Sequence, residues 1–356
     1  MIKPTRVCFI ANKNGCNVFP FPFKSINNLS YRSPFPLISL ILSLLCWLSL
    51  TAQVTAVSRL ECLGAAAAEY LVPGTGYLFT KQWDKAATLG GVRWMALSKV
   101  QAAYSSGYYQ EDPEDIYFVT EADQSVSGKD EIRIVLNKET WEGNYFANIY
   151  GNLLLITWAD FYQNSCEPNT DTYQLMLAPF RFDHFYDKWY FWAPLILAAS
   201  NFSYYSDDAI VEYNLKRGLN RSDLRSQSFG EYYLVGVGEE MFFRGLVQNH
   251  LFNRLQESFG ISPFWSRHLS VAGASAIFAA AHNGAGFTAN PGSAFLFGLY
   301  EGYVYHNSLD EFDLITAIAI HSWWDILVTY AVLNNAEFNE SQADVQIPLF
   351  QIGFKY

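Results

Sequence analysis

The chain has 356 residues, 51% hydrophobic, 17% aromatic and only 16% charged, and 23 Lys and Arg against 34 Asp and Glu leave a formal charge of −11. That balance excludes a nucleic-acid binder, which needs a basic field. It also excludes a disordered chain and a collagen or coiled-coil rod, because so much apolar side chain of mixed type can bury surface. Low charge with 10 Trp, 23 Tyr and 28 Phe points to a membrane, while a mean hydropathy of +0.03 requires sizeable polar loops beside the spans.

The first acidic residue is Glu61, and Lys3, Arg6, Lys13, Lys24, Arg32 and Arg59 precede it. Inside that basic stretch Leu37 to Leu50 is apolar and Val54-Thr55-Ala56 follows. A basic region, an apolar core and a small-residue site describe a secretory signal peptide. The long leader before the core leaves an acidic-poor transit peptide or an uncleaved anchor open, so residues 1–56 are expected to be a leader or a first membrane anchor. Cys8, Cys16 and Cys46 fall in that part. Cys62 and Cys166 are too few and too distant to make a disulfide framework or a zinc site. They would pair only if both faced an oxidising compartment.

Residues 57–103 read as a membrane-associated helical hairpin around Pro73-Gly74-Thr75-Gly76. Residues 104–143 read as an acidic polar loop in which Ile132 to Leu136 could form a short strand. Asn144 to Ala159 is uncharged, and Trp189 to Ser206 is uncharged and opens on an aromatic cluster, as a span does at the interface. Asp207 to Ser228 is polar, and its cluster Lys216, Arg217, Arg221 and Arg225 argues for a cytoplasmic loop. Between His268 and Tyr300 there is no charged residue, and Pro291-Gly292 divides the run. Leu314 to Asn334 carries one charge, Asp325, and is long enough to span. Gly298 and Gly302 form G-x-x-x-G, which lets helices approach closely. The expected fold is all-α: a polytopic membrane helical bundle over 144–336 with polar extramembrane loops, closed by a polar tail at 337–356.

Ionisable residues at membrane depth are expensive, which makes function their default explanation. Glu240 and Arg244 are four apart on a helix and can pair, whereas Glu239 lies about 140° around from Arg244 and is free to point elsewhere. His282 follows Phe278 by four, and Asp325 follows His321 by four, each in an apolar segment. Taken singly, the Glu–Arg pair could be a structural ion pair, His282 a satisfied core residue and Asp325 an interfacial one. Taken together, a free carboxylate and two histidines from three helices can converge in a bundle interior. There the carboxylate suits alternate base and acid roles and the imidazoles suit holding water or an oxyanion.

The order E-E-x-x-x-R, F-x-x-x-H, H-x-x-x-D resembles the signature of the CPBP-type intramembrane proteases, the CAAX-prenyl-protease-like and bacteriocin-processing Abi family. Gly236 to Leu246 (GVGEEMFFRGL) is similar to that family's first motif, and Phe295 to Tyr305 (FLFGLYEGYVY) to its glycine-rich helix. The resemblance covers about Gly230 to Asn334. It implies that Glu239 activates the attacking water, Glu240 assists or pairs with Arg244, and His282 holds the water with Glu239. His321 and the residue four later would stabilise the oxyanion, with no metal and no other cofactor. That last residue is Asp325 rather than Asn; an ionised Asp cannot donate to an oxyanion and is left to orient His321, or to donate if protonated by burial.

Two other readings compete with this one. Glu239, His282, His321 and Asp325 could serve as zinc ligands, although there is no H-E-x-x-H. A non-catalytic membrane scaffold or immunity-type binding protein is the other. The expected partners are a peptide or protein substrate and membrane lipid, with no nucleic acid. The secretory-type leader points to a bacterial inner (cytoplasmic) membrane, where prenylation does not occur, so a peptide or lipoprotein other than a CAAX protein is the expected substrate.

Overall fold

A computed structural model describes residues 59–109, 117–118, 130–163, 166, 171–200, 209–282, 291–309 and 311–340. The expected leader or anchor at 1–56, the middle of the acidic loop (110–116 and 119–129) and the end of the polar tail lie outside the described residues.

The N-terminal hairpin forms around a carboxylate. Helix α1 (Arg59–Leu71) ends at Pro73-Gly74, where Gly74 takes the left-handed φ of +86 that a side chain disfavours. The chain turns back into α2 (Thr75–Phe79), and buried Glu69 accepts the Gly74 and Gly76 amides at 2.8 and 3.0 Å. A turn at Trp83–Lys85 and a π-helical stretch, Ala86–Gly90, lead into α3 (Gly91–Ser105), from which Arg93 pairs with Glu69 at 2.7 Å.

The hairpin docks on α4 (Lys138–Gln163) through a second buried group. Asp160 takes Lys85 Nζ at 2.7 Å, the Tyr77 hydroxyl at 2.9 Å and the Thr172 hydroxyl at 2.7 Å. The dock also corrects the cysteine expectation, because Cys62 and Cys166 form a disulfide. No spacing rule pairs residues 104 apart; the folding of α1 against the far end of α4 brings them together. Closing so long a loop restricts the unfolded chain, so Cys62→Ser with Cys166→Ser should lower stability by about 2–5 kcal/mol. The loss would be read as a fall in melting temperature reproduced on the parent protein by dithiothreitol.

The helix predicted from Asn144 begins earlier, at Lys138, because Asn137 accepts the Thr140 amide at 2.7 Å and caps it. Before it stands β2 (Asp130–Asn137), which belongs to a four-stranded sheet with β1 (Tyr117–Phe118), β3 (Ala209–Lys216) and β4 (Glu337–Glu340) in the order β1-β2-β3-β4. β2, β3 and β4 are parallel, with Ile134 opposite Tyr213 and Tyr213 opposite Phe338, while β1 is antiparallel to β2. The fold is mostly helical, consistent with the all-α expectation, and carries this one small sheet beside the helices. The stretch read as polar at 207–228 contains β3 and the start of a helix, and the polar tail opens with β4. Leu215, Leu219, Leu224 and Leu333 form a small core beneath the sheet.

Short helices α5 (Asp171–Met176) and α6 (Phe182–Phe185), with α7 (Trp189–Ser200), lead to β3. Helix α8 (Arg221–Glu240) starts in a capping box between Asn220 and Asp223 and runs on through a π-helical segment, Met241–Gln248, into α9 (Asn249–Glu257). Helices α10 (Pro263–Ala281), α11 (Pro291–Tyr305) and α12 (Leu314–Asn335) complete the bundle. The G-x-x-x-G glycines serve contact: a Cβ on Gly298 would lie 3.1 Å from Ser275, and one on Gly302 2.8 Å from Val271, both on α10. Among the described residues one stretch, Leu314–Ala331, is long and apolar enough to cross a membrane, where several spans were expected. Helix α4 is longer, but Asn144, Asn148 and Asn152 lower the hydropathy of its uncharged middle.

Asp313 anchors the start of α12. It caps Thr316 and takes Lys188 Nζ at 2.6 Å and His184 Nε2 at 2.8 Å. Burial pushes its carboxyl up, but the hydrogen bonds from Lys188, Thr316 and His184 outweigh this and hold it below the usual carboxylate range. A group depressed in the folded state stabilises above its unfolded pKa, about 3.9, and that stability is lost as pH falls through the folded value. The protein should lose thermal stability below about pH 4. Asp313→Ala should remove part of that acid sensitivity and cost about 0.5–2 kcal/mol at neutral pH.

Candidate active site

Helices α8, α10 and α12 bring the six residues into one cluster. The crossing of α8 and α12 is close because Gly236 has no side chain, and a Cβ there would lie 2.3 Å from Ser322 Oγ. Gly238 does the same against α4, where a Cβ would meet the Asn152 carbonyl at 2.8 Å. Glu239 and Glu240 are the last residues of the α-helical part, and the π-helical turn begins at the next position. Such wide turns recur at functional sites.

Glu239 and Glu240 face different partners. Glu240 is fully buried; its Oε2 lies 3.0 Å from Arg244 Nε, and its Oε1 lies 2.7 Å from His321 Nδ1. Glu239 keeps 17% of its side-chain surface, and its Oε2 lies 3.1 Å from His282 Nε2 and 3.9 Å from His321 Nε2. His282 sits at the C-cap of α10, where its Nδ1 donates to the Phe278 carbonyl at 2.8 Å, so Nε2 is the nitrogen presented to Glu239. His321 Nε2 also lies 3.4 Å from Asp325 Oδ2. Both His321 nitrogens therefore face carboxylates.

An aromatic wall closes the apolar side of the cluster. The Phe278 ring stacks on His282 at 4.0 Å between centroids and carries the Arg244 guanidinium 5.1 Å above it. Phe297 meets His321 edge-on at 5.2 Å. Glu239, His282 and Asp325 retain 17, 18 and 22% side-chain exposure while His321, Glu240 and Arg244 retain 4% or less, which gives the cluster one open side. Such an arrangement can hold a water between Glu239 and a histidine, take its proton, and present an imidazole N–H to a developing negative charge. As for the zinc alternative, no three His, Cys, Asp or Glu side chains among the described residues are placed to hold one metal ion.

One carboxylate in this region received no role from the sequence. Glu301, on α11, is fully buried and electrostatically close to Glu240, His321, Arg244 and Asp325. Its signal was available, since it is the first charged residue after Arg267 in an otherwise uncharged run.

Residues 226–327 match the family model for type II CAAX prenyl endopeptidase Rce1-like proteins, the CAAX-protease type that the motifs resemble, and all six site residues lie within the matched segment. No curated protein and no solved structure matches the chain.

Proposed function

From that endopeptidase segment we propose that the chain is an integral membrane peptidase, with a bundle of more than one span, that hydrolyses a peptide bond in a peptide or protein substrate by a Glu239-activated water and without a metal. The observation that carries this reading is Glu239 Oε2 set between two imidazole Nε2 atoms, at 3.1 and 3.9 Å, at the open side of the cluster. Water held there by Glu239 and His282 gives its proton to Glu239 while its oxygen bonds to the scissile carbonyl carbon. His321 donates from Nε2 to the oxyanion so formed. The C–N bond then breaks, and the proton on Glu239 passes to the leaving amine. Glu240, itself paired with Arg244, holds the His321 ring through Nδ1, and Asp325, 3.4 Å from Nε2, accepts from that N–H until the oxyanion takes it over, and does not itself donate to the oxyanion.

Two features support an orientation across a bacterial inner membrane. A disulfide belongs in an oxidising compartment, and Cys166 follows the C-terminal end of α4. At the other end of α4, about 39 Å away for 26 residues, Glu139 pairs with Arg217 of the basic cluster, the kind of cluster that stays in the cytoplasm. In this reading the disulfide end lies outside and the sheet end inside.

The test is cleavage of a peptide library by the purified, detergent-solubilised protein with and without EDTA or 1,10-phenanthroline. Cleavage should be equal in both. Cleavage that disappears with chelator and returns with zinc would replace this reading with the zinc one.

A further inference from the structure

A polar seam runs from the candidate site toward the disulfide end of the bundle. Glu240, Arg244 and Gln248 follow one another at intervals of four along α8 and its π-helical extension, and all three are fully buried. Facing them on α11 are Glu301 and, just past its end, His306, also fully buried. Gln248 Nε2 donates to the Gly302 carbonyl at 2.9 Å and so ties the two helices together. One turn beyond Gln248, the Phe252 ring meets the His306 ring edge-on at 4.5 Å. His306 stands next to exposed Asn307, and its carbonyl accepts from Arg267 at 2.8 Å, which places it at the bundle end.

Among the described residues Gln248 Oε1 and both Glu301 carboxylate oxygens have no hydrogen-bond partner, and the His306 ring nitrogens and the three Arg244 guanidinium nitrogens make none of good geometry. Buried polar atoms of this kind are satisfied in native proteins almost without exception. A carboxylate and a guanidinium are the most expensive groups to leave bare. Polar seams of this kind hold water with two to four partners per molecule, whereas apolar voids stay dry. The residues that carry these atoms succeed one another from Arg244 and Glu301 beside the candidate site, through Gln248, to His306 at the bundle end.

We propose that this seam holds a chain of hydrogen-bonded water molecules and delivers hydrolytic water to Glu239 from the end of the bundle opposite the open side. The inference rests on the hydrolytic reading above. Its logic is steric: the side on which Glu239, His282 and Asp325 are exposed is the side a substrate must cover, so water for hydrolysis needs another route. No proton or electron balance changes, since the delivered molecule is the water whose oxygen bonds to the carbonyl carbon. Arg244, Gln248, Glu301 and His306 position water in this scheme and touch no substrate.

Two measurements test it. Pulsed radiolysis of solvent water labels buried side chains only where water is held beside them. His306 and Phe252 should be oxidised in the parent protein in spite of their burial; Gln248→Met should cut the labelling of both severalfold, and His306→Phe that of Phe252. In peptide turnover the same variants should lower kcat by about tenfold and leave KM within about twofold, because the supply of water and not substrate binding has changed. Absence of labelling at both residues in the parent protein overturns the seam, and labelling with unchanged kcat in both variants overturns its supply role. If the parent protein cleaves no peptide, the hydrolytic reading and with it the supply role fail, while the labelling still decides whether the seam is wet.

Discussion

Glu239→Gln is expected to abolish peptide hydrolysis while leaving the protein folded. Gln keeps the size of Glu and can still hydrogen-bond the His282 Nε2 that stands 3.1 Å from the carboxylate, so packing at the end of α8 is preserved. It cannot take a proton from water, which is the role assigned to the group. Loss of a general base costs about 10²–10⁴ in rate. The side chain keeps 17% of its surface, so no buried charge is left bare and the melting temperature should move little. Glu240→Gln, one residue on, should behave differently, because Glu240 is fully buried between Arg244 and His321 and its loss perturbs structure together with rate. Parallel measurement of turnover and melting temperature on both variants checks the contrast. Parent-level cleavage by Glu239→Gln would remove this carboxylate from the mechanism.

The geometry of the candidate site was largely legible in the sequence because its physics is local. Charged residues in apolar segments announce themselves, and the spacing of four that pairs Glu240 with Arg244 or His321 with Asp325 needs only the helix period. What lay outside that reading depends on chain segments far apart. β3 carries a readable alternation, Val211, Tyr213 and Leu215 between Glu212, Asn214 and Lys216, but its partners are β2, near residue 134, and β4, near residue 338. Parallel pairing leaves no turn signal at either side. The Cys62–Cys166 bond and the Asp160 network likewise depend on the docking of the N-terminal hairpin on α4. Glu301 is a different case: the residue was visible, but its role depends on which face of α11 meets α8.

Arg244→Ala is expected to be the most destabilising of the site substitutions. The guanidinium is fully buried, with Nε 3.0 Å from Glu240 Oε2 and its plane over the Phe278 ring. It also lies, with His321, among the basic groups electrostatically close to Glu301, a fully buried carboxyl group in the same region as Glu240. His321 Nδ1, at 2.7 Å, would remain on Glu240, but Glu301, which has no hydrogen-bond partner of its own among the described residues, would keep only its longer-range interaction with His321. Removing one member of a buried pair costs about 3–5 kcal/mol because the other charge stays in low dielectric. Arg244→Lys should be milder, since the charge survives while the fork and the stacking on Phe278 are lost. If the cost comes from buried acidic groups left without their basic partner, adding Glu301→Met to Arg244→Ala should recover part of the stability, because a buried, unpartnered polar group is replaced by an apolar side chain of similar volume. If it is only the cavity left by the side chain, the second substitution should recover nothing. Melting curves of the three variants in one detergent separate these outcomes, and an Arg244→Ala protein as stable as the parent would show that the buried pair contributes nothing to the fold.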